Sequence, residues 1–234
     1  MEMEVLPEGV FGNVSFQEMY LANDNLQSIH PSALLPSKDR LEILRMEYCH
    51  LTDFPFEIIP GMKALKHLYL YKNSLTSAPV IRSDSLEILH LFNNRIAFLP
   101  EGGWSMPNLQ EFHIGENNLE ELPHGIVTSM EKLIHFRAQD DQFGPELRRD
   151  FLEFNSPNLN ILYLHGNSIS SLEAGAITGL SPNTTIFMTR NAIEELHEAS
   201  FKPMVEILAQ GTGILNLYGM TKLERNSVAS HSHL

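Results

Sequence analysis

The sequence predicts a curved right-handed solenoid, an α/β repeat of about eight turns with a parallel sheet on the concave side and loops or short helical turns on the convex side. Three observations predict it. The first is self-similarity: FQEMYLANDNL begins at Phe16, LEILRMEYCHL at Leu41, LKHLYLYKNSL at Leu65 and LEILHLFNNRI at Leu86. LQEFHIGENNL, LIHFRAQDDQF, LNILYLHGNSI and NTTIFMTRNAI follow from Leu109, Leu133, Leu159 and Asn183. These starts are spaced by 25, 24, 21, 23, 24, 26 and 24 residues, within the roughly 20 to 29 of a leucine-rich repeat. The second observation is alternation. The fourth and sixth residues of each copy, such as Leu68 and Leu70, are apolar and point inward from a short strand, and the residues between them face out. The third is the ninth position, held by Asn73, Asn94, Asn117, Asn167 and Asn191, with Asp24, Cys49 and Asp141 in the remaining copies. A side-chain amide at a turn satisfies loop backbone groups that would otherwise be buried unpaired, so this column reads as a structural ladder.

Taken in order, residues 1–15 read as a partial preceding repeat, residues 16–200 as the repeats, and residues 201–219 as a C-terminal helix with a last strand. Residues 220–234 are polar and expected to be disordered. The return segments, among them SLTSAPVI and RIAFLPEGGWSMP, carry prolines and loosely placed apolar residues rather than amphipathic runs. Phe201, Met204, Ile207 and Leu208 have helical spacing, Gly211 and Gly213 stop that helix, and a strand is expected over 214–217.

Sixteen Lys plus Arg against 29 Asp plus Glu gives a net charge of −13, which argues against nucleic acid or anionic lipid as a partner. No segment approaches the roughly 20 consecutive apolar residues of a membrane span. The start, MEMEVLPEGVF, carries acids where a secretory signal has lysine or arginine. Cys49 is the single cysteine, so no intrachain disulfide framework exists. There is no phosphate-binding glycine loop, nucleophile elbow or zinc signature, and the acidic pairs Glu120–Glu121, Asp140–Asp141 and Glu194–Glu195 fall at repeat turns. No enzyme activity, cofactor or catalytic residue is expected.

A concave sheet presents its third, fifth and seventh residues to a ligand. The fifth column runs Tyr20, Arg45, Tyr69, His90, His113, Arg137, Tyr163 and Phe187, and the seventh adds Tyr71, Phe92 and His165. Aromatic residues and arginine are enriched at interface centres, so this stripe is the expected protein-binding surface, its partner unidentified. Truncating Tyr69 and His90 together should then weaken binding and leave stability unchanged. His67, His90, His113 and His135 lie near one another, but side chains on a sheet stand nearly parallel and do not converge as metal ligands must, so no metal is expected. Imidazole titrates near pH 6.5, which suggests binding sensitive to mild acid. Asn13 and Asn183 head glycosylation tripeptides.

The segments WSMPNLQEFHIGENNLEELP, LEFNSPNLNILYLHGNSISSLEAGAITGL and FKPMVEILAQGTG resemble arthropod secreted leucine-rich repeat proteins, among them those similar to the non-catalytic subunit of oplophorus-luciferin 2-monooxygenase. The resemblance extends over 41–217. It implies an extracellular binding or accessory protein with no catalytic residues of its own. Such proteins carry a signal peptide and cysteine-containing ends that this chain does not show, so the chain is expected to be an incomplete form of a longer secreted protein. The functional expectation is a non-enzymatic recognition module, with an accessory subunit of an enzyme complex such as an oxygenase, or a cytoplasmic scaffold, as alternatives.

Overall fold

A computed structural model describes residues 4–22 and 25–218. Asp24 and the expected disordered tail at 220–234 lie outside the described residues. Nine short strands form one parallel sheet: Glu18–Tyr20, Ile43–Arg45, His67–Tyr69, Ile88–His90, Glu111–His113, His135–Arg137, Ile161–Tyr163, Thr185–Phe187 and Ile214–Asn216, stacked in chain order. Each strand but the last sets one buried residue between two that face out, and in Ile214–Asn216 the middle residue, Leu215, is partly buried against the core. In register, Leu44, Leu68, Leu89, Phe112, Phe136, Leu162 and Ile186 stand side by side, all fully buried. The sixth residues Met46, Leu70, Leu91, Ile114, Ala138, Leu164 and Met188 form the next buried row, and the eleventh residues return to the same core. The chain has the leucine-rich repeat fold.

The convex side carries the loops and short helical turns the sequence suggested, together with short paired extended stretches it did not. Short 3-10 turns at Pro31–Ala33, Leu35–Ser37 and Phe56–Gly61 carry the early repeats. Later repeats run extended, and adjacent turns pair over two residues, as in Glu146–Leu147 with Ser171–Leu172 and Leu152–Glu153 with Ile177–Thr178. Val5–Leu6 pairs in the same way with Ser28–Ile29. The single tryptophan, Trp104, is buried on this side, its Nε1–H donating to the Pro100 carbonyl at 2.9 Å. The helix Glu198–Leu208 buries Phe201, Met204 and Leu208, and the strand after it ends at Asn216, one residue short of the expected span.

The turn after each strand explains the ladder. The eighth residue of a repeat sits at a left-handed backbone angle: Tyr48, Lys72, Asn93, Glu116, Asp140 and Arg190 have φ between 54° and 58°. Only at Gly166 is that place taken by glycine. A left-handed side-chain-bearing residue is strained and persists where its surroundings over-determine it. The ninth side chain does so. Asn94 Oδ1 accepts from Leu75 N of the preceding turn at 3.1 Å, while its Nδ2 donates to Leu91 O at 2.8 Å and to Leu70 O at 3.0 Å. Asn73, Asn117, Asn167 and Asn191 repeat this pattern, each donating to the carbonyl three residues earlier. Cys49 fills the place with a thiol that donates to Leu21 O at 3.0 Å.

Asp141 is the exception. Its Oδ1 accepts from Asn117 N and Leu119 N at 3.1 and 3.0 Å, but Oδ2, standing where an asparagine would present Nδ2, is buried without a partner. Burial pushes this carboxyl up to about 7, and the neighbouring charges of Asp140 and Glu116 add to the rise against the two backbone donors.

Candidate functional site

The parallel register places the fifth and seventh columns side by side and lets their rings meet across strands. Tyr71 stacks on Phe92 with centroids 4.4 Å apart and planes 8° from parallel, and Phe92 stacks in turn on His113 at 4.0 Å and 16°. His113 reaches the neighbouring column because its own strand is followed by Gly115, which puts no side chain there. A Cβ at Gly115 would stand 2.5 Å from the Gln139 carbonyl and 2.6 Å from its amide nitrogen, so the close approach of the two turns requires glycine. Gln139 Nε2 lies 2.8 Å from His113 Nε2, and Arg45 Cζ lies over the Tyr69 ring, 4.0 Å from its centroid. Tyr69 meets His90 edge-on at 5.1 Å.

These residues enclose a hollow of about 410 Å³ on the concave face. Its lining comprises six rings, Tyr48, Tyr69, Tyr71, His90, Phe92 and His113, and three cations, Arg45, Lys72 and Arg137, with no carboxylate among them. Two carboxylates stand directly behind this lining, Glu47 Oε1 at 3.2 Å from Arg45 Nη1 and Glu111 Oε2 at 3.4 Å from His90 Nε2. Beyond Arg137 the face continues through Tyr163, stacked on Phe187 at 4.5 Å, and through His165, whose Nε2 lies 3.5 Å from Asp140 Oδ2. Tyr20 stands exposed at the outer end, away from the hollow.

Of the stripe read from the sequence, Arg45, Tyr69, Tyr71, His90, Phe92, His113 and Arg137 come together in the hollow, while Tyr20, Tyr163, His165 and Phe187 lie outside it. Sequence reasoning passed over Tyr48 and Lys72. Both occupy the eighth position, and the left-handed turn there swings them onto the rim, where Lys72 Nζ donates to Tyr48 Oη at 2.9 Å. Their column was legible in the alignment of the repeats, although the backbone angle that aims it was not.

Two expectations change. Tyr69 and His113 are buried, at 9% and 8% exposure, so the stripe is a packed surface and not a row of free rings. Tyr69→Ala alone should therefore lower stability by about 1 to 2 kcal/mol, measurable by equilibrium denaturation, where the sequence suggested no change. The acid sensitivity also shifts. Burial lowers His113 to about 3, with His90 and Arg137 pushing the same way, and burial lowers His90 and His165 as well. His113 thus stays neutral through mild acid, which removes the expected titration near pH 6.5 from the centre of the face.

Among the described residues no group of three or more histidine, cysteine, aspartate or glutamate side chains is placed to hold a metal ion, and no helix is long and apolar enough to cross a membrane. Asn13 is exposed, and so is Asn183, although its Oδ1 accepts from Thr212 N at 3.1 Å.

No family model matches the chain. It is 27% identical over 212 residues to the oplophorus-luciferin 2-monooxygenase non-catalytic subunit of Oplophorus gracilirostris, covering 89% of this chain and 58% of that protein. It is 29% identical over 189 residues to osteomodulin of Rattus norvegicus, covering 70% of this chain and 43% of the relative. The chain therefore spans about half the length of these curated relatives. A solved leucine-rich repeat protein of Leptospira interrogans superposes with a TM-score of 0.55 at 16% identity, over 83% of this chain and 55% of that one, which establishes the likeness of fold.

Proposed function

We propose that this chain is a non-enzymatic recognition module that grips a protein partner through its concave face, and that it works outside the cell, as its resemblance to secreted leucine-rich repeat proteins implies. The observation that carries the reading is the hollow itself: six rings and three cations brought to one place at the centre of a solenoid sheet. Interface centres favour this composition. The imidazoles serve this surface as ring walls, His90 edge-on to Tyr69 and His113 stacked on Phe92, with Glu111 Oε2 3.4 Å from His90 Nε2.

Two phenylalanines on opposite faces provide the test. Phe92 lies in the concave stack, whereas Phe98 is 56% exposed on the other side of the turn. With a partner isolated on the immobilised chain, Phe92→Ala should weaken binding by about 2 kcal/mol, as hot-spot truncations do, and Phe98→Ala should leave it unchanged. Calorimetric titration measures both. A larger loss at Phe98 moves the interface to the convex side.

A second reading follows from the likeness to a protein named as a non-catalytic subunit: the partner is the catalytic chain of an enzyme complex, which this chain stabilises. Co-purification of a catalytic chain, with its activity half-life extended by this one, would favour it over a free-standing receptor or scaffold.

A further inference from the structure

The cations of the repeats are treated unequally. Arg45 Nη1 pairs with Glu47 Oε1 at 3.2 Å, Lys66 Nζ with Glu42 Oε2 at 2.7 Å, and Arg190 with both oxygens of Asp140 at 2.8 and 2.9 Å. Lys72 Nζ donates to Tyr48 Oη. Arg137 differs: among the described residues no carboxylate lies within 4.0 Å of its guanidinium, and its Nε is buried without an acceptor. It stands between the His113 ring and Tyr163, whose ring centroid is 5.5 Å from its Cζ. A half-buried guanidinium with no anion has lost part of its hydration and received no ion pair in exchange. The planar fork of an arginine matches a carboxylate in two parallel hydrogen bonds, and a neighbouring aromatic wall strengthens them by excluding water.

We propose that the hollow is a carboxylate-receiving subsite, in which an extended acidic segment of a partner protein lays an aspartate or glutamate side chain on Arg137 and packs a flanking aromatic or apolar residue against the Tyr71–Phe92–His113 stack. This rests on the concave-face reading and gives its partner a chemistry. The neutral imidazoles of the site fit it, because they supply ring surface without adding charge. Net charge separates the peptide from a long sulfated polymer. A polyanion laid along the molecule meets the field of a chain carrying −13, whereas one carboxylate between apolar neighbours meets only the local cations.

The experiment titrates the isotope-labelled chain with acetyl-Gly-Phe-Glu-Phe-Gly-amide, with its glutamine counterpart, and with a heparin hexasaccharide, following backbone amides and arginine Nε–H resonances. The glutamate peptide should shift the Arg137 Nε–H and the amides of residues 69–92 and 113–139. It should bind about tenfold more tightly than the glutamine peptide, a difference of about 1.4 kcal/mol. Arg137→Gln should erase that difference, and Arg137→Lys should keep part of it. If Arg137→Gln does not fold, the comparison of the two peptides on the unaltered chain decides alone. Equal affinity for both peptides at the hollow overturns the carboxylate subsite and leaves the concave-face reading standing. Shifts confined to the convex side overturn both. Tighter binding of the hexasaccharide at Arg137 assigns the site to a sulfated polymer instead and overturns the peptide.

Discussion

Asp141→Asn is expected to stabilise the protein by about 4 kcal/mol above pH 7 and by far less at pH 4. The asparagine supplies the donor that the neighbouring rungs Asn117 and Asn167 have and that the buried, unpaired Oδ2 of Asp141 cannot be when ionised. The folded carboxyl is raised to about 7 from an ordinary 3.8. A raised carboxyl contributes stability that is fully present below the unfolded value, where both states are protonated, and is lost as pH climbs through the folded one. About three pH units at about 1.4 kcal/mol each give the size of the loss, all of it between about pH 4 and pH 7. Denaturant unfolding of both proteins at pH 4.5, 6 and 8 measures it. The gap between variant and wild type should widen from the first pH to the last. A gap that stays constant would show that Asp141 finds a counter-donor in solution and remains ionised.

Asn117→Leu has the opposite sign and a comparable size. The Asn117 carboxamide accepts from Ile96 N at 2.9 Å and donates to Ile114 O at 2.6 Å, Leu91 O at 3.2 Å and Gly115 O at 3.1 Å, all within the core of the turn. Leucine abandons the Ile96 amide and the Ile114 carbonyl, while Leu91 O keeps the Asn94 amide and Gly115 O the Asn93 amide. Each buried orphan costs about 1 to 3 kcal/mol, and with partial relaxation a loss of about 3 kcal/mol is expected. Asn118, the next residue, is exposed, so Asn118→Ala should change stability by less than about 0.5 kcal/mol. Thermal and denaturant melts of the two variants make the comparison, and similar losses at both positions would contradict the ladder geometry.

The strands were legible in the sequence because a two-residue alternation repeated at a fixed spacing leaves one register in which every apolar fourth residue is buried. The asparagines were legible because amide chemistry at a turn has one use. The convex side was legible only as loops and short helical turns. Whether a return segment such as 56–61 tightens into a 3-10 turn or one such as 146–153 runs extended and pairs with the next turn depends on how neighbours of unequal length pack, which no single repeat encodes. The candidate site was legible as a column of residue types and obscure as a surface. The burial of His113 depends on an empty place at Gly115, two residues beyond it and past the end of its strand, and on Gln139 in the following turn. Asp141 was recognisable as a departure from the ladder, whereas its need for a proton emerges only when Oδ2 is seen to be buried without a partner.

Trp104 offers an optical consequence. Its indole is sealed on the convex side, 6% exposed and tied to Pro100, while the hollow on the opposite face is walled by tyrosine, phenylalanine and histidine. Emission excited at the red edge of the absorption band comes from the indole alone and should stay fixed when the hollow fills, then move to longer wavelength when the solenoid melts. Tyrosine emission from Tyr69 and Tyr71 carries the complementary signal. One unlabelled sample in one cuvette therefore reports occupancy and unfolding in separate colours.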